Sequence, residues 1–65
     1  MSNFKQMRIL LKIKQNELAK LAGVNPSTIA VLERKGIFDT RTASKYARVM
    51  KCNPIFLLDG LHIMQ

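Results

Sequence analysis

Ser27 and Thr28 put two hydroxyls, and Val31 a pair of branched methyls, into one short stretch that runs on to Arg34 and Lys35. Hydroxyls donate to or accept from several base edges, branched methyls suit the C5 methyl of thymine, and cations suit phosphate. The chemistry on offer is therefore nucleic-acid recognition. Catalysis has far less to draw on, since four acidic residues, one histidine and one cysteine form no paired carboxylates, no triad order and no glycine-rich phosphate loop. His62 has only Asp59 near it at ligand spacing, and Cys52 is alone, so no metal site, no cofactor and no disulfide are expected. Cys52 reads as a small buried hydrophobe.

The stretch from Gln15 to Gly36 has the pattern of a scaffold for those residues. Leu18, Ala19, Ala22, Val24, Ile29 and Leu32 give helical apolar spacing in two halves, predicting helices over 15–22 and 26–35 that share one small core. Gly23 stands where the first helix must stop in a positive-φ turn, and Asn25 followed by Pro26 offers an N-cap and a first helical position to the second. Gly36 then ends it. That is a helix-turn-helix, whose second helix enters the major groove of duplex DNA. With Ile29 and Leu32 turned inward, Pro26, Ser27, Thr28 and Val31 are the expected base-contacting residues. Lys14, Arg34, Lys35 and Arg41 are the expected backbone contacts, whereas Lys5, Lys20, Lys45, Arg48 and Lys51 read as solvated faces.

Three further helices are expected around this pair. Ser2 or Asn3 caps a first helix to about Lys12, Asn3 and Gln6 have capping-box form, and Phe4, Met7 and Leu11 line one face. Ile37 to Arg41 reads as a loop. A fourth helix is expected from about Thr42 to Lys51, capped by Thr40 or Thr42, with Ala43, Tyr46, Ala47 and Met50 inward. Asn53 and Pro54 repeat the cap-then-proline signal and open a short fifth helix through Leu58 that stops near Gly60. The predicted fold class is all-α, one compact five-helix domain over residues 1–65.

Sixty-five residues are too few to bury a catalytic cleft beside an independent core, so no enzyme and no small-molecule substrate are expected. The formal charge of +7 arises from 11 Lys and Arg against 4 Asp and Glu spread along the chain, which favours a folded basic face over a basic arm. No secretion signal and no run of about 20 apolar residues is present, so a cytoplasmic protein with no membrane partner is expected. Pro54, Ile55, Phe56, Leu58 and Leu61 are more apolar than a monomer surface should be. Part is assigned to a homodimer interface, with residues 61–65 folding back over the monomer as the alternative.

From Phe4 to Gly60 the chain resembles the Cro and repressor family of lambdoid phages, the Cro/C1-type helix-turn-helix. The resemblance rests on Arg8, Gln15, Glu17-Leu18-Ala19, Ala22-Gly23-Val24, Ile29, Leu32-Glu33 and the run Cys52 to Gly60. It implies a lambda-repressor-like domain that binds a double-stranded operator as a dimer. It further implies a phosphate contact for Gln15, a place near the DNA backbone and minor groove for Arg41, and a structural salt bridge between Arg8 and Glu33. Family repressors carry a second, oligomerising domain and Cro proteins do not, so an end at Gln65 makes Cro the expectation. Where the family often has long polar readers this chain has Pro26, Ser27 and Val31, so direct readout is expected to be modest and DNA shape to contribute more. The alternative reading is an antitoxin or accessory regulator of the same fold whose main partner is another protein.

Overall fold

The computed structural model describes residues 2–60, among which four α-helices are found. They are α1 (Asn3–Leu10), α2 (Gln15–Ala22), α3 (Pro26–Lys35) and α4 (Thr40–Met50), followed by a 3-10 segment at Pro54–Leu57. That segment replaces the expected fifth α-helix. Asn53 accepts from the Ile55 N–H through its side chain and from Phe56 through its carbonyl, and Leu58 then turns extended, so only one tight turn forms.

The helix ends follow local hydrogen bonding. Ser2, rather than Asn3, caps α1, its hydroxyl accepting from the Lys5 N–H at 3.2 Å. Asn3 lies inside the helix, where its side chain donates to the Leu58 carbonyl at 2.7 Å. α1 stops at Leu10 instead of about Lys12, because Lys12 takes a left-handed conformation (φ 60°) and the Ile13 N–H returns to the Arg8 carbonyl. α2 ends the same way around Gly23 (φ 72°) and α4 around Lys51 (φ 58°), so two of these three left-handed positions carry a lysine rather than a glycine. α4 begins at Thr40, two residues earlier than expected, and its cap is Asp39 rather than Thr40 or Thr42. The Asp39 carboxylate accepts from the Thr42 N–H at 2.8 Å and leaves the threonines as first-turn residues.

The core is Phe4, Leu18, Ala19, Ile29, Ile37, Ala43, Tyr46, Ala47, Met50 and Leu57. α4 supplies its wall through the one face that carries Ala43, Tyr46, Ala47 and Met50, and Phe4 meets Tyr46 edge to face with ring centroids 5.2 Å apart. Ile37 comes from the loop, and Leu57 pins the 3-10 segment inside at no exposure, a burial worth about 2 kcal/mol. Leu11, expected on the α1 core face, lies past the helix end and is exposed, and Leu32 is half-buried.

A carboxylate ties the segment after the 3-10 turn to the start of α1 and to the loop after α3. Asp59 accepts from the Asn3 N–H at 2.9 Å with one oxygen and from the Ile37 N–H at 3.2 Å with the other, while its own N–H donates to the Ile37 carbonyl at 2.8 Å. Gly36 (φ 88°) leaves room for this clasp, since a Cβ there would stand 2.5 Å from Asp59 Oδ2.

Candidate nucleic-acid interface

α2 and α3 meet through a turn built from three residues. Gly23 supplies the left-handed bend, the Val24 N–H reaches back to the Ala19 carbonyl at 2.9 Å, and Asn25 enters the next helix in extended conformation ahead of Pro26, which has no N–H to leave unpaired. Asn25 caps without a side-chain hydrogen bond. α3 then buries Ile29 and Glu33 toward the other helices.

The opposite face is open. Ser27, Val31 and Arg34, spaced four and three residues apart, form one exposed stripe, flanked by exposed Thr28 and Lys35. Pro26 is exposed at the helix start. Two hydroxyls, two methyls and two cations thus lie along a helix whose other side is fixed in the core.

Glu33 carries the strongest tie behind that face. Its Oε2 lies 2.5 Å from Arg8 Nε and its Oε1 accepts from the Gln15 side chain at 2.9 Å. Arg8 also donates to the Ile13 carbonyl at 2.7 Å. With 12% and 5% of their side chains exposed, the Arg8 and Glu33 charges are nearly out of water and depend on one another. One network therefore holds the end of α1, the start of α2 and the last turn of α3 together. Gln15, read from the sequence as a phosphate contact, commits at least one amide proton to it.

The other cations take separate places. Lys14 is the exposed N-cap of α2, where the Glu17 side chain accepts from its N–H at 3.4 Å and the lysine side chain caps nothing. Arg34 and Lys35 close α3. Arg41 is exposed in the first turn of α4, beside Asp39, whose carboxyl sits below its ordinary value chiefly because the Thr42 N–H donates to it, with Arg41 adding attraction. Lys5, read from the sequence as a solvated face, turns out to line an open cleft together with Ser2, Gln15, Ala30, Glu33 and Arg34. Only the packing of α1 against α3 brings it there, and no spacing within α1 signals it.

The apolar residues near the end of the chain split. Leu57 is core, Pro54 and Leu58 are half-buried, and Ile55 and Phe56 stand 66% and 57% exposed. Leu61 lies outside the described residues. Cys52 is half-buried, and burial pushes its thiol above the ordinary value, away from reactive thiolate.

A helix anchored by its buried face and offering hydroxyls, methyls and cations on the other, behind a glycine turn, defines a DNA-binding helix-turn-helix domain. A family model described as helix-turn-helix matches residues 4–57, so the chain belongs to the helix-turn-helix family of DNA-binding transcription regulators. No curated protein and no solved structure matches it. Among the described residues no helix is long and apolar enough to cross a membrane.

Proposed function

We propose that this chain is a sequence-specific transcriptional repressor of the Cro type that binds a pseudo-palindromic operator as a homodimer and blocks polymerase by occupancy. The observation that carries it is the exposed stripe of Ser27, Val31 and Arg34 beside Thr28 and Lys35, on a helix whose Ile29 and Glu33 are buried on the opposite side. In this reading Pro26, Ser27, Thr28 and Val31 meet base edges. Lys14, Gln15, Arg34, Lys35 and Arg41 meet phosphates, and they supply much of the affinity and its salt dependence. Ile55 and Phe56, with Pro54, Leu58 and Leu61, join two copies so that two α3 helices lie roughly 34 Å apart, one turn of DNA.

Selection of duplexes from a random pool tests this most directly. The expected result is an enriched pair of inverted half-sites about one helical turn apart. No enrichment, with weak and sequence-blind binding at physiological salt, overturns it. The exposed Ile55 and Phe56 also suit a second reading, in which the same fold grips a different protein there. Sedimentation of the chain with operator DNA separates the two: two copies per duplex support the homodimer, and a single copy favours the second reading.

A further inference from the structure

The cleft bounded by Ser2, Lys5, Gln15, Ala30, Glu33 and Arg34 holds positive charge that nothing in the fold consumes. It is an open space of ≈ 440 Å³ between the start of α1, the start of α2 and the second half of α3. Its one carboxylate is already occupied, because Glu33 gives Oε2 to Arg8 and Oε1 to Gln15. Lys5 and Arg34 are left over. Among the described residues the Arg8–Glu33 contact is the only ion pair, and neither Lys5 nor Arg34 makes a side-chain hydrogen bond.

Two unpaired cations that line one cleft from different helices repel each other, and an anion between them relieves the repulsion. Ala30 and Arg34 place the cleft directly beside the outward stripe of α3, so an anion bound there lies next to whatever that stripe reads. We propose that the cleft takes one backbone phosphate of the DNA flanking the half-site, with Lys5 and Arg34 donating to its non-bridging oxygens. Gln15 forms the cleft wall between Glu33 and the phosphate. Lys5 thereby becomes a DNA-positioning residue supplied by α1, outside the helix-turn-helix itself. The proposal rests on the DNA-binding reading and adds one contact to it.

The salt dependence of binding tests it, measured by fluorescence anisotropy on a selected duplex and on a random duplex across a series from roughly 50 to 300 mM salt. Lys5→Gln is expected to lower the slope of log affinity against log salt by about 0.9. It should also weaken binding roughly five- to tenfold near 0.1 M salt. The loss should be equal on both duplexes, because a phosphate contact carries no sequence information. Lys5→Arg should restore the parental slope, which separates a lost charge from a damaged fold. Lys20→Gln, exposed on α2 and outside the cleft, should leave the slope unchanged.

A parental slope in Lys5→Gln overturns the proposal while leaving the DNA-binding reading intact. A parent chain that shows no salt-dependent binding to any duplex sinks the reading itself. Free phosphate could satisfy the same cations, so 15N spectra are recorded with inorganic phosphate alone. Shifts at Lys5 and Arg34 combined with a parental slope in Lys5→Gln identify a site for free anions, and the proposal falls.

Discussion

Glu33 and Asp59 each use both carboxylate oxygens to hold distant parts of the chain together, but they do so in opposite surroundings. Glu33 is 7% exposed and accepts from two side chains, the Arg8 guanidinium and the Gln15 amide. Asp59 is exposed and accepts from two backbone N–H groups, those of Asn3 and Ile37. A buried charge has no water to fall back on, so losing either partner strands the other. An exposed carboxylate loses little charge energy when its partners go, and what it contributes is position. The side of the molecule behind α3 is thus held by compensation of charge, and the side where Asp59 meets Asn3 and Ile37 by geometry.

The largest expected effect breaks the first arrangement. Glu33→Gln leaves Arg8 nearly buried beside a neutral partner and should cost about 3 kcal/mol, a fall in melting temperature of roughly 12 °C or more for a domain of this size. An unchanged melting temperature would contradict the account. Replacing both partners by apolar residues, as in Arg8→Met with Glu33→Leu, should recover most of the loss, because it is the stranded charge that is costly.

A smaller effect breaks the second arrangement. Gly36→Ala meets both a positive φ and a carboxylate oxygen 2.5 Å from the new Cβ, and should cost about 2 kcal/mol by denaturant unfolding. Asp59→Ala alone should cost about 1 kcal/mol, mostly from the buried N–H of Ile37 left without its partner. Together they should cost less than the sum, since the second change removes the atom that the first one strikes. Strict additivity would show that the close approach is not the cause.

The smallest effect concerns a third carboxylate, which makes the contrast sharper because it is fully exposed and purely local. Asp39 is held below its ordinary value by the Thr42 N–H, so it adds stability above its unfolded value and that contribution disappears as pH falls through the folded one. Melting temperature should therefore fall as pH drops below about 4. Part of that fall should be missing in Asp39→Asn, which caps the helix without titrating. Identical pH profiles for the two chains would remove Asp39 from the account.

How much of this was legible in the sequence depends on the range of the interaction. The end of α2 and both bounds of α3 follow from Gly23, Asn25-Pro26 and Gly36, each of which acts on its own neighbours. The start of α4 did not, because Asp39, Thr40 and Thr42 all suit a cap and only the backbone path selects Asp39. The end of α4 falls within one residue of its expected place at Lys51, but the left-handed turns at Lys12 and Lys51 were opaque, since a lysine gives no sign that it will adopt one. The interface shows the same division. That Ser27, Thr28 and Val31 share the outward side of α3 follows from helical period alone, whereas the cleft joining Lys5 to Arg34 needs α1 to be packed against α3.

What the sequence determined by itself is the helix-turn-helix frame, the outward face of α3 and the excess of positive charge, because helix period, turn residues and net charge are properties of neighbouring residues or of composition. What the tertiary structure alone decided is how distant groups spend their hydrogen bonds. Gln15 goes to Glu33 and Asp59 to Asn3 and Ile37, while Lys5 is left facing the cleft without a partner, since each outcome turns on which segments the common core draws together.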